Sequence, residues 1–158
     1  MYDDFDPSYR VCRNGVCPTP VDLRSANFSN ADLDDVYFGG ALVSGTNFDG
    51  AWMPKASFQP LSNTSPLDMR GSSFRDAHMN DASFYYADLT GVDFTNAILN
   101  RAYFVQTDLT STKFVKSTLY KASFINSLIQ GTDFKDSEAS QMKLPAGCTK
   151  LDGPTTCS

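Results

Sequence analysis

The sequence predicts an all-β fold, a parallel β-helix whose coils have four short sides. Three observations predict it. Apolar residues recur at every fifth position, as Leu89, Phe94, Leu99 and Phe104 do within "ADLTGVDFTNAILNRAYF", residues 87–104. Small residues keep the same step two positions earlier, at Ala87, Val92, Ala97 and Ala102. Phe itself returns every tenth residue and alternates with Leu, Met, Val or Ile.

A step of five suits neither common backbone. In an α-helix, residues five apart are rotated by about 140° and form no stripe. In a flat strand they point to opposite faces. The step works if the chain turns a corner after each unit, so that each central residue points to a common axis. Four units then close a coil of 20 residues, and successive coils stack at the strand spacing of about 4.8 Å.

The units run in two frames. The first has centres Leu23, Phe28, Leu33, Phe38, Val43, Phe48, Met53 and Phe58; the second continues from Met69 and Phe74 to Phe134, for 22 units in all. With four sides, two opposite sides carry Phe ladders and two carry aliphatic ladders. Each coil then has the same filling, which close packing requires. Phe58 and Phe74 are 16 residues apart, which is two units plus six extra residues. The Pro, Ser and Asn of "QPLSNTSP" place the extra length in a loop at 59–66. Small corner residues are the rule, and Leu67 is the exception.

The units "ADLTG", "ANFSN", "ADLDD", "ASFYY" and "TDFKD" closely resemble those of the pentapeptide-repeat family. The resemblance covers residues 21 to about 136 and implies a right-handed quadrilateral β-helix of about 5.5 coils. The expected organisation is an N-terminal cap at 1–20, the β-helix at 21–136 with its loop at 59–66, and a C-terminal cap or tail at 137–158. Stacked coils leave unpaired backbone at both ends. Tyr2, Phe5, Tyr9 and Val11 are apolar enough to cover the first coil. At the other end, either a short helix from Ser137 to near Pro145 or a half-coil through Leu144 fits.

Four cysteines lie in two terminal pairs, Cys12 with Cys17 and Cys148 with Cys157. An even, terminal set suggests disulfides and an oxidising compartment. A rod of 5.5 coils is roughly 25 Å long, and bonded cysteines need Cα atoms about 4.4–6.8 Å apart. Pairing within each end, Cys12–Cys17 and Cys148–Cys157, is therefore expected. Free thiols and intermolecular pairing stay open. A zinc site is weaker, because neither pair has the usual two-residue gap and the single His78 is remote in sequence.

The chain has 158 residues and net charge −5, enough for one domain. The acidic balance argues against general binding to nucleic acid or anionic membrane. No apolar run reaches the roughly 18 residues of a membrane span. "MYDDFDPSYR" has no basic segment followed by an apolar one, so it does not read as a signal peptide, and a mature form fits. No base stands beside a nucleophile, no phosphate loop occurs, and no metal-spaced cluster is present, so no enzyme, cofactor or metal is expected.

The register places the surface residues. Asp68, Asp88 and Asp108 precede centres on one side and should stack about 5 Å apart. They form a candidate acidic stripe, or simply bond turn amides. Tyr37, Tyr85, Tyr86, Tyr103, Val105 and Ile125 gather on another side as a candidate partner surface, or as plain cross-strand ladders. Charge is uneven: residues 1–50 hold eight acids and three bases, and residues 101–158 hold five acids and seven bases.

The leading reading is a non-catalytic scaffold that binds an unidentified protein partner through the aromatic side, as an expected monomer. The family resemblance and the cysteines together point to the thylakoid lumen or periplasm. The resemblance also implies an alternative, mimicry of duplex DNA toward DNA gyrase or topoisomerase.

Overall fold

The computed structural model describes residues 20–61, 65–149 and 156–157. The expected N-terminal cap and the Cys12–Cys17 bridge lie outside these residues, as does the tip of the loop.

The chain forms a parallel β-helix built from single β-bridges. They fall in four ladders with a 20-residue step: Asp22↔Leu42, Asn27↔Asn47, Asp32↔Trp52 and Tyr37↔Ser57 join the first two coils. Ladder one holds Asp22, Leu42, Asp68, Asp88, Asp108 and Leu128. Ladder two starts at Asn27, ladder three at Asp32 and ladder four at Tyr37. In ladder one the pairing widens once into short strands, β1 (Leu67–Asp68) on β2 (Ala87–Asp88).

Asn47↔Ser73, Trp52↔His78 and Ser57↔Ser83 skip 26 residues, which confirms six extra residues. Among the described residues no bridge joins Leu42 to Asp68. The bond from the Gly45 N–H to the Arg70 carbonyl, 2.9 Å, carries the stack across instead.

Each unit turns in the same way. In most units the corner N–H bonds the carbonyl of the centre three residues before it, as Val92 does to Leu89 at 3.0 Å; the Thr107 N–H instead donates to the Ser127 hydroxyl at 3.1 Å. The residue two after the centre has positive φ: Tyr86 at 54°, Gly91 at 71°, Arg101 at 60°. A single positive φ in the third position of the turn is the type II pattern. The sequence hid this rule, because Lys, Arg, Tyr and Gln occupy many of these positions where Gly or Asn is usual.

The bore is filled as the repeat predicts. Every Phe from Phe48 to Phe134 is fully buried. Phe rings one coil apart stack, as Phe84 does on Phe104 at 4.9 Å and 2° and Phe94 on Phe114 at 5.0 Å and 3°. Rings of the two Phe ladders meet edge-on, as Phe94 and Phe104 do at 5.7 Å and 82°. Both geometries are favoured by the ring quadrupole. Corner residues Ala77, Ala82, Ala97 and Ala102 have no exposed surface. Where the corner is Thr, its hydroxyl donates to a centre carbonyl of the coil before, as Thr107 does to Phe84 and Thr112 to Leu89, both at 2.8 Å.

Beyond residue 136, where the sequence leaves a short helix and a half-coil as alternatives, the bridges continue. The bridges Thr118↔Glu138 and Ser123↔Lys143 continue ladders three and four. Ala139 and Leu144 take the next central slots, packed against the core, so the half-coil forms and no helix does. Ala at a central slot concealed this unit. Beyond it, β3 (Cys148–Thr149) pairs antiparallel with β4 (Thr156–Cys157).

Three substitutions test this packing by urea denaturation. Phe94→Ala should cost about 3–5 kcal/mol. Ala97→Leu should cost about 1–3 kcal/mol, because the corner is full; an unchanged midpoint would contradict the register. A Cβ on Gly91 would meet nothing within 4 Å, so Gly91→Ala isolates the backbone cost of positive φ, about 1–2 kcal/mol.

Candidate functional site

In ladder one, the expected acidic stripe is brought together. Asp68 faces Asp88 in the β1–β2 register, and Asp88 bridges Asp108. Each carboxylate has a local task. The Oδ1 atoms of Asp68, Asp88 and Asp108 accept from the N–H of Arg70, Thr90 and Thr110 at 3.1, 3.0 and 2.9 Å. These are Asx turns, in which the side chain satisfies a turn amide that no carbonyl reaches. Arg70 also neutralises part of the stripe, at 2.9 Å from Asp68 and 3.5 Å from Asp88. Its hydrogen bond, opposed by some burial, holds the Asp68 carboxyl below the ordinary range. The same Asp-x-Arg unit recurs at Asp22 and Arg24, where the pair lowers Asp22 to about 2.

Ladder four and its turns hold the expected aromatic surface. Tyr103 and Ile125 are exposed, at 51% and 41%. Tyr85, Tyr86 and Val105 are half-buried. Tyr37 is also half-buried, and its ring lies where a side chain on Gly39 would stand, 2.0 Å from an ideal Cβ. Tyr37 therefore covers the backbone of its own turn. Serines at 57 and 83 separate Tyr37 from Tyr103 along the ladder. On ladder four the exposed apolar side chains thus lie in the later coils.

Leu128 extends that surface. It is the most exposed large apolar side chain among the described residues, at 63%. It closes a groove of about 390 Å³ between the turns of ladder four and ladder one, lined also by Pro66, Tyr86, Gln106, Asp88 and Asp108. The sequence offered a signal for it: Leu stands at a ladder-one position otherwise held by Asp in three successive coils.

Ladder three pairs the single Trp52 with the single His78, ring centres 5.0 Å apart. On ladder two, burial alone would push the Asp93 carboxyl up. The Thr95 hydroxyl and amide donate to it, Arg75 lies at 3.0 Å and Lys113 is near, and together they hold it below the ordinary range. Arg101 does the same for Asp81 through bonds of 2.7 and 2.6 Å. Cys148 is disulfide-bonded, and in the β3–β4 register it stands opposite Cys157.

Among the described residues no three His, Cys, Asp or Glu side chains are grouped to hold a metal ion. No helix among them is long and apolar enough to cross a membrane.

A rod of stacked coils with a filled bore and side chains arrayed only on its skin defines a repeat solenoid. The chain belongs to the pentapeptide-repeat family: it matches "Pentapeptide repeats (8 copies)" over residues 22–59 and "Pentapeptide repeat region" over residues 77–149. No curated protein matches the sequence. Three solved structures are similar in fold. HetL of the cyanobacterium Nostoc, involved in heterocyst differentiation regulation, is 21% identical, with a TM-score of 0.50 over 80% of this chain and 60% of HetL. Rfr23 of the cyanobacterium Cyanothece is 14% identical, with a TM-score of 0.57 over 78% of this chain and 90% of its own. QnrB1, a plasmid-mediated fluoroquinolone resistance protein, is 16% identical, with a TM-score of 0.57 over 75% of this chain and 64% of its own. This chain thus spans less than two thirds of HetL and of QnrB1. The shared fold is a right-handed β-helix.

The folded carboxyls of Asp68, Asp81 and Asp93 lie below their unfolded values. Their contribution to stability is therefore complete above about pH 4 and is lost as pH falls through the folded values. The melting temperature should drop as pH falls below about 4, and Asp93→Asn, which keeps an acceptor for Thr95, should reduce that drop. Circular dichroism melts measure it; a melting temperature that rises on acidification would contradict the assignment.

Proposed function

We propose that the chain is a non-catalytic docking rod, which binds a protein partner through the later coils of ladder four and the adjoining end of ladder one. In this reading the four ladders are the faces of a four-sided rod of six coils, preceded by a cap at 1–20 and closed by the tail that follows Lys143. The carrying observation is the clustering of Tyr103, Ile125 and Leu128, all exposed, around the half-buried Tyr85 and Val105. A contiguous apolar patch on a soluble surface is a usual mark of a binding site, and a rigid backbone lowers the entropy lost on binding. The named roles of HetL and QnrB1, in regulation and in drug resistance, support a role in interaction.

The bonded Cys148 and its register with Cys157 support a Cys148–Cys157 bridge, since directly opposed residues of an antiparallel pair lie about 4.5–5.5 Å apart at Cα. The bridge in turn supports an oxidising compartment, such as the thylakoid lumen or periplasm. A second reading, DNA mimicry toward gyrase or topoisomerase, is favoured by the in-register Asp68–Asp88–Asp108 stack. Arg70 weighs against it by breaking the run of negative charge. No effect on gyrase supercoiling at micromolar protein would remove it.

Pull-down from a lumenal or periplasmic extract tests the main reading. The chain should retain a partner that Tyr103→Ser/Ile125→Ser/Leu128→Ser loses, with no change in melting temperature. Equal recovery by both would remove this surface from the account.

A further inference from the structure

We propose that the ladder-four surface takes an acidic segment of its protein partner, with one carboxylate seated over Ser123. The inference rests on the docking surface proposed above and names the chemistry of what docks there. Ser123 stands in ladder four between Tyr103 and Lys143. Phe124 beside it fills the bore, so by strand alternation Ser123 points outward. Yet Ser123 is only 7% exposed, while Tyr103 on one side of it is 51% exposed and Ile125, two residues on, is 41% exposed. Lys143 on the other side and Lys121, two residues before, are exposed as well. A small side chain among four long ones forms the floor of a hollow.

That floor is polar and unsatisfied. Among the described residues the Ser123 hydroxyl has no hydrogen-bond partner. The hydroxyls of Ser57 and Thr118 also lack partners but are sealed from solvent; that of Ser123 is not, so a ligand can reach it. A donor confined in this way gains from an incoming acceptor.

The walls select charge. Lys121 and Lys143 make no ion pair among the described residues. Lys121 lies over the Tyr120 ring, 5.0 Å from its centre, a contact that leaves its charge in place. Arg101 backs the same corner, bonded to Asp81 at 2.6 Å and within electrostatic reach of Tyr103 and Tyr120. Glu138 stands on the neighbouring ladder three and pairs with neither lysine. Two ammonium groups without a counter-charge, with a hydroxyl donor between them, suit a carboxylate, because hydrogen bonds to an ionised acceptor are the strong ones. Ile125 and the exposed Leu128 suit an apolar residue next to it. The partner segment therefore carries Asp or Glu beside Leu, Ile or Val, and a basic segment is repelled.

The test titrates the full chain, labelled with ¹⁵N, with a capped peptide containing Leu-Glu-Glu and with its Leu-Gln-Gln counterpart. The amide signals of Ser123 and Lys143 should shift with the first peptide, and its affinity should fall as salt rises. The second peptide should bind at least about tenfold more weakly, as should the first to Lys121→Gln/Lys143→Gln or to Ser123→Ala, with melting temperatures unchanged. No shift at millimolar peptide would overturn the proposal. So would equal affinity for the two peptides, the same shifts from acetate alone, or shifts that follow protein concentration without peptide. The pull-down separates this inference from the reading beneath it. If Lys121→Gln/Lys143→Gln retains the partner in full while Tyr103→Ser/Ile125→Ser/Leu128→Ser loses it, the acidic seat is overturned and the docking surface stands.

Discussion

The structure depends on one constraint: the bore has room for one large apolar side chain per unit and nothing else. Phe rings stack one coil apart at 4.7–5.5 Å, from the Phe38–Phe58 pair to the Phe28–Phe48 pair. That distance is close to the rise of a β-ladder, so ring stacking and backbone bonding reinforce each other. A backbone that drew adjacent coils apart would lose both. The corner must then be small, since the centres on either side already occupy the axis. Thr and Ser satisfy this and add a hydroxyl bond to the coil before, as Thr132 does to Leu109 at 2.8 Å.

With the interior fixed by packing, variation is confined to the skin, and the skin has its own rules. The residue before each centre stands in a ladder, and Asp or Asn there caps the turn that follows, as Asp133 does for the Lys135 amide at 2.9 Å. Acidity of the sequence is therefore partly a turn-forming device and not only a charge signal. Ladder two shows how the resulting charge is balanced: Lys113 stands between Asp93 and Asp133. What remains without such a local task is sparse. It includes the exposed Tyr103, Ile125 and Leu128, where binding is proposed.

Much of this was legible in the sequence, because a period of five has few structural solutions. The centres, the corner slots, the extra six residues near 59–66 and the stacking of Asp68, Asp88 and Asp108 all followed from spacing. Spacing fixes which residues share a ladder. It does not fix how a side chain lies on the surface, so the fold of Tyr37 over Gly39 and the reach of Arg70 to Asp88 were not legible. The last units were left between a helix and a half-coil for a different reason: Ala139 is too small to mark a centre, and the bridges at Glu138 and Lys143 decide for the half-coil. The turn type was hidden by residues that tolerate positive φ poorly, such as Tyr86 and Arg101, held there by the coils on either side.

Residue-resolved hydrogen exchange tests the central claim most directly. Around Leu99, the amides of Leu99, Arg101, Ala102 and Tyr103 bond backbone carbonyls. The amide just after a centre has no such acceptor, and at Tyr85, Val105, Val115 and Ile125 no Asp or Asn two residues earlier replaces it. Exchange should therefore be slow in runs and fast at those four amides, which stand 10 or 20 residues apart, multiples of five. Uniform protection, or a period of two or near four, would contradict a bore filled by one side chain per turn of the chain.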